Sequence, residues 1–87
     1  MYYEWLKRGN KIYFARTHPS LGMYEVLDLI VRTAEDTWFS AYEKKTGRAY
    51  LFSYKDVGTL IFDNRCQALS VVREIESKSP KKVFTKD

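Results

Sequence analysis

Between Lys11 and Phe62, short runs of bulky, β-prone residues follow one another, parted by turn-forming residues. One amphipathic stretch comes after them. Runs of this length, rich in β-branched and aromatic residues, read as strands. Their order in so short a chain predicts a small closed β structure with a helix packed on it.

The first strand is expected over residues 11–16, with Ile12 and Phe14 on one face and Tyr13 and Ala15 on the other. Residues 17–22 hold His18, Pro19 and Gly22 and read as a loop. The longest strand spans 23–33. Glu25, Leu27, Leu29 and Val31 share one parity there; Tyr24, Val26, Asp28 and Ile30 share the other. A strand this long must bend as twist accumulates, so it can serve both halves of a barrel. A polar turn at 34–37 leads to a third strand at 38–42. A hairpin loop at 43–47, with Gly47 free to take positive φ, leads to a fourth at 48–54. One tight helical turn at 55–58 precedes a short last strand at 59–62. This succession predicts a five-stranded SH3-like barrel, mainly β with one helix.

Asp63 or Asn64 is placed to cap a helix over about 64–77. Its apolar stripe is Ala68, Leu69, Val72 and Ile75. That stripe should lie against an open end of the barrel. Residues 1–9 read as a short helix ended by Gly9, because Tyr2, Trp5 and Leu6 recur at helical spacing. Leu29, Phe39, Leu51, Phe52, Leu69 and Val72 are the expected core.

The chain has 87 residues, enough for one domain, expected over 1–76, followed by a flexible basic tail at 77–87. With 45% apolar and 16% aromatic residues, it has material for a core and is not a disordered composition. The net charge of +4 is uneven. Lys78, Lys81, Lys82 and Lys86 stand against Asp87 alone, so residues 1–76 carry eleven basic and ten acidic groups. No apolar run is long enough to span a membrane, and the first residues show no charged-then-apolar leader. With Cys66 as the single cysteine, expected buried on a helix face, the sequence points to a cytoplasmic protein without disulfides.

Site chemistry is sparse. One His and one Cys do not make a zinc site, and His18 stands before Pro19 with no nucleophile motif nearby. Glu35 and Asp36 are adjacent carboxylates, and successive side chains on extended backbone point apart. No glycine-rich phosphate loop is present. The expectation is a protein that is not an enzyme and uses no cofactor or metal. Two surface clusters remain. Tyr2, Tyr3 and Trp5 lie beside Lys7, Arg8 and Lys11, a mixture that stacks on bases or anchors in a protein pocket. Trp5 and Leu6 can equally close one end of the barrel. Lys44, Lys45 and Arg48 form a second basic cluster on the hairpin tip, where lysines also guard sheet edges. Tyr13, Trp38, Tyr50 and Tyr54 offer rings for an aromatic cage, although a core role fits them better.

Four stretches carry a resemblance: Gly9-Asn-Lys-Ile-Tyr-Phe-Ala-Arg16, Tyr24-Glu-Val-Leu-Asp-Leu-Ile-Val-Arg-Thr33, Arg48-Ala-Tyr-Leu-Phe-Ser-Tyr-Lys-Asp-Val-Gly58 and Ile61-Phe-Asp-Asn-Arg-Cys-Gln-Ala-Leu69. Over about residues 9–76 the chain resembles a group of short proteins carried by phages and integrated elements of Gram-positive bacteria. The resemblance implies a non-enzymatic protein of a mobile element in the bacterial host cytoplasm. Such proteins often disarm host defence, CRISPR nucleases included, by docking on the effector or its ribonucleoprotein complex. A near-neutral body with a basic tail departs from acidic DNA mimics. A steric block, or contact with nucleic acid, suits this charge better. The alternative is a small nucleic-acid-binding module for replication or regulation of the element. The expected contact residues are Tyr2, Tyr3, Trp5, Lys7 and Arg8, with Lys44, Lys45 and Arg48 second.

Overall fold

The computed structural model describes residues 4–78. Five strands form one antiparallel sheet: β1 (Lys11–His18), β2 (Met23–Ala34), β3 (Trp38–Glu43), β4 (Ala49–Ser53) and β5 (Ile61–Phe62). One helix, α1 (Arg65–Lys78), follows. The sheet order is β4-β3-β2-β1-β5. The chain is therefore mainly β with one C-terminal helix. Short 3-10 turns at Pro19–Leu21 and Tyr54–Asp56 sit where a loop and a single helical turn are expected.

Alternation along the strands sorts side chains into two layers. On the inner, concave face, Ile12, Leu29, Val31, Phe39, Ala41, Phe52 and Ile61 are buried, with Leu6 added from the segment before β1. Phe39 has no exposed surface and stacks on Phe52 at 5.3 Å between centroids. Phe14 meets Phe52 edge-on at 5.0 Å. Each such ring pair adds about 0.5–1.5 kcal/mol beyond the area it buries.

The second layer is on the outer face. There Ala15 and Phe62 of the sheet meet Ala68 and Val72 of α1, with Tyr13, Tyr24, Val26 and Val71 packed around them. The helix thus lies across the outer face of β1, β2 and β5, not against an open end of the sheet. The reason is local. Asp63 and Asn64 turn the chain directly after β5, an outer strand of the sheet, and Ala15 leaves room for close approach. Asn64 is the cap: its Oδ1 accepts from the N–H groups of Cys66 (2.7 Å) and Gln67 (3.3 Å). Arg65 then reaches Asp28 of β2 at 2.6 Å.

β2 and β3 pair with a bulge between Val31 and Thr33. The extra residue, Arg32, shifts the alternation, so Thr33 pairs with Ser40 and leaves the core face. The β3–β4 hairpin closes with Glu43 N–H on Arg48 O (2.8 Å) and Gly47 N–H on Glu43 O (2.7 Å). Gly47 has φ +75°, a turn conformation that glycine takes without strain.

Several expectations are corrected. Leu51 is 71% exposed and Leu69 36%, so neither is core. β4 turns Tyr50 and Phe52 inward, which puts Leu51 outside; on α1 the sheet-facing residues are Ala68, Val71 and Val72. Cys66 is exposed on the first turn of α1. Residues 4–9 form turns and no helix. Gly9, at φ +91°, joins the segment to β1 while its N–H donates to Val31 O at 2.8 Å. The helix runs to Lys78, two residues into the span expected as tail; residues 79–87 lie outside the described residues.

Candidate binding surface

The outer face is not uniform. Across its uncovered part, the register aligns Lys11, Ile30, Tyr42 and Ala49 in one row over β1 to β4. Two grooves flank Ile30. Lys11, Lys44, Lys45 and Arg65 line the first, together with Asp28 and Glu43. Arg8, Arg32, Tyr42 and Gly47 line the second. The two basic clusters of the sequence, one before β1 and one on the hairpin tip, therefore border a single surface. Pairing of β1 with β2 and of β2 with β3 brings them there.

The cations of this surface outnumber its two carboxylates. Asp28 holds Arg65, and Glu43 Oε1 accepts from the Thr46 hydroxyl at 3.1 Å. The Arg32 guanidinium lies 5.9 Å from the Tyr42 ring centroid. The result is a basic rim around an apolar and aromatic floor. The opposite end of the sheet is acidic in balance, with Glu35, Asp36 and Asp56 against Lys55. Glu35 and Asp36 occupy the β2–β3 turn, and Tyr54 O–H donates to Glu35 O, which holds the turn beside Asp56 and the end of β4.

Tyr2 and Tyr3 lie outside the described residues. Trp5 is half-buried against the inner core beside buried Leu6, and its carbonyl accepts from Asn10 Nδ2 at 3.1 Å. Lys7 and Arg8 are exposed, and Arg8 reaches the second groove. Lys44 and Lys45 line the first groove; Arg48 is exposed at the start of β4. The four rings considered for a cage do not converge. Tyr50 and Tyr54 pack on the inner core, Tyr13 lies under α1, and Trp38, 39% exposed, is on the outer face rather than in the core.

Arg32, Tyr42 and Arg65 are the surface residues that the sequence does not single out. An arginine directly after the apolar run Leu29-Ile30-Val31 is the one signal that marks Arg32. His18 Nδ1 lies 3.0 Å from Ser20 Oγ, a local turn contact. Among the described residues, no three His, Cys, Asp or Glu side chains converge as metal ligands. No helix among them is long and apolar enough to cross a membrane. No protein-family model, no curated protein and no solved structure matches this chain.

Proposed function

We propose that the protein is a non-catalytic binding module of a phage or mobile element, acting in the host cytoplasm, whose basic surface docks on nucleic acid. The observation that carries this is the ring of Arg8, Lys11, Arg32, Lys44, Lys45 and Arg65 around Ile30 and Tyr42. Cations that follow a groove neutralise phosphates, and an aromatic floor lets bases stack without sequence preference. Single-stranded nucleic acid fits this combination, because its bases are free to reach Tyr42. The scaffold is read as an SH3-like barrel; strand order β4-β3-β2-β1-β5 and the 3-10 turn before β5 support that.

The test is fluorescence anisotropy with a labelled single-stranded oligonucleotide across a salt series. Affinity should fall steeply as salt rises. Lys44→Glu with Lys45→Glu should lower affinity and flatten the salt slope by about one for each phosphate no longer neutralised. Binding that ignores both salt and these substitutions would end the proposal.

A second role, inhibition of a host defence nuclease of the CRISPR type by docking on it, draws support from the segment before β1. Half-buried Trp5 next to exposed Lys7 and Arg8 has the aromatic and arginine character of an interface anchor. Pull-down of a purified effector after nuclease treatment separates the two roles. Retention of the effector without nucleic acid supports the inhibitor; loss on nuclease treatment supports the nucleic-acid module.

A further inference from the structure

β4 is an outer strand of the sheet and, among the described residues, pairs only with β3. The hydrogen bond from Glu43 N–H to Arg48 O fixes which backbone groups face which way. Bonded pairs alternate in an antiparallel ladder, so Tyr50 and Phe52 turn their backbone groups toward β3. Ala49, Leu51 and Ser53 turn theirs outward. Ser53 N–H is already engaged by Asp56 Oδ2 at 3.1 Å. Ala49 and Leu51 keep both groups on the open edge, and the Leu51 side chain is 71% exposed beside them.

The geometry points to a second copy of this chain as the partner of that edge. The two copies pair β4 with β4 antiparallel, about a two-fold axis at Leu51. Charge argues for this occupant. The start of β4 carries the basic tip, with Lys44, Lys45 and Arg48 against Glu43; toward its end Glu35, Asp36 and Asp56 stand against Lys55. An antiparallel two-fold brings the basic tip of each copy toward the acidic end of the other, so both contacts are complementary at once. Across the axis each Leu51 N–H donates to the Leu51 C=O of the other copy, and the two Leu51 side chains become cross-strand neighbours on the outer face. A same-direction pairing would set basic against basic. The short acid-capped end at Ser53 limits the ladder, so the association is expected to be reversible.

Sedimentation of the full chain over a concentration series tests this. The expected result is a monomer that becomes a dimer as concentration rises, with several-fold weaker association at high salt. Amide exchange at Ala49 and Leu51 should slow only in the dimer, while Tyr50 and Phe52 are protected throughout. Leu51→Lys should stay monomeric with Tyr50 and Phe52 protection intact. A charge swap gives an independent arm, all on exposed residues. One variant carries Lys44→Glu, Lys45→Glu and Arg48→Glu; the other carries Glu35→Lys and Asp36→Lys. Each alone should be monomeric, and an equal mixture should dimerise, because both contacts are then complementary again. A monomeric wild type, dimers that persist in Leu51→Lys, a mixture that fails to associate, or Leu51 amide protection independent of concentration overturns the proposal. The last outcome would assign the edge to the chain's own terminal residues.

Discussion

Under α1, the outer face of the sheet is a second core: Ala15 and Phe62 meet Ala68 and Val72, and all four are buried. On β3 and β4 the same face is open, with Trp38 and Leu51 among its exposed apolar residues. Both halves alternate between inward and outward side chains, and both belong to one continuous sheet. They differ in what comes next in sequence. β5 hands the chain directly to a capped helix, which covers its neighbours β1 and β2. β4 hands it to a 3-10 turn that leads away to β5. Covering is therefore set by connection rather than by the hydrophobicity of the strand, since β4 is as apolar as β1.

Breaking the covered half should cost most. Phe62→Ala removes a ring held between sheet and helix and is expected to lower stability by about 3–5 kcal/mol in chemical denaturation. A loss no larger than that of a surface substitution would mean that α1 does not depend on this layer. Asn64→Ala deletes the cap that starts the covering helix and should cost about 1 kcal/mol, with Asn64→Asp close to neutral. Asp28→Ala breaks the exposed ion pair with Arg65 and should cost less than about 1 kcal/mol, shrinking further in high salt. Leu51→Ser on the open half should move monomer stability by less than about 0.5 kcal/mol. A large loss there would show that the open half is also a core and erase the contrast.

Much of this architecture is legible in the sequence. The parity sets of β1 and β2 are legible, but both faces of these strands are apolar because both are packed, and pairing decides which set turns inward. The helix is found to within one residue at each end, since Asn64 caps it and its apolar stripe has helical spacing. β4 resists the same treatment. Tyr50, Leu51 and Phe52 are all apolar, so no alternation marks the inner face, and only the register with β3 turns Leu51 outward. Leu69 fails for a related reason: the stripe on α1 is wide enough to be centred one residue away, and packing against Ala15 and Phe62 selects Ala68 and Val72. Gly9 reads as a helix end and instead turns the chain into β1. In the sequence the candidate surface is visible only as two separate basic clusters. Their union depends on strand pairing between residues far apart in sequence; Arg32 and Tyr42 enter it through that pairing, and Arg65 through the helix that packs on the sheet.

The separation of Lys44, Lys45 and Arg48 at one end of β4 from Glu35, Asp36 and Asp56 at the other has a kinetic consequence. A body with small net charge but opposite poles is an electric dipole, and it rotates in the field of a polyanion before contact. Under the proposed nucleic-acid role it would arrive pole first, with the grooves leading. Fewer encounters would then be wasted on misorientation, so the association rate should exceed what the net charge alone implies, and the advantage should fade once ions shorten the reach of the field to about 10 Å at 0.1 M salt.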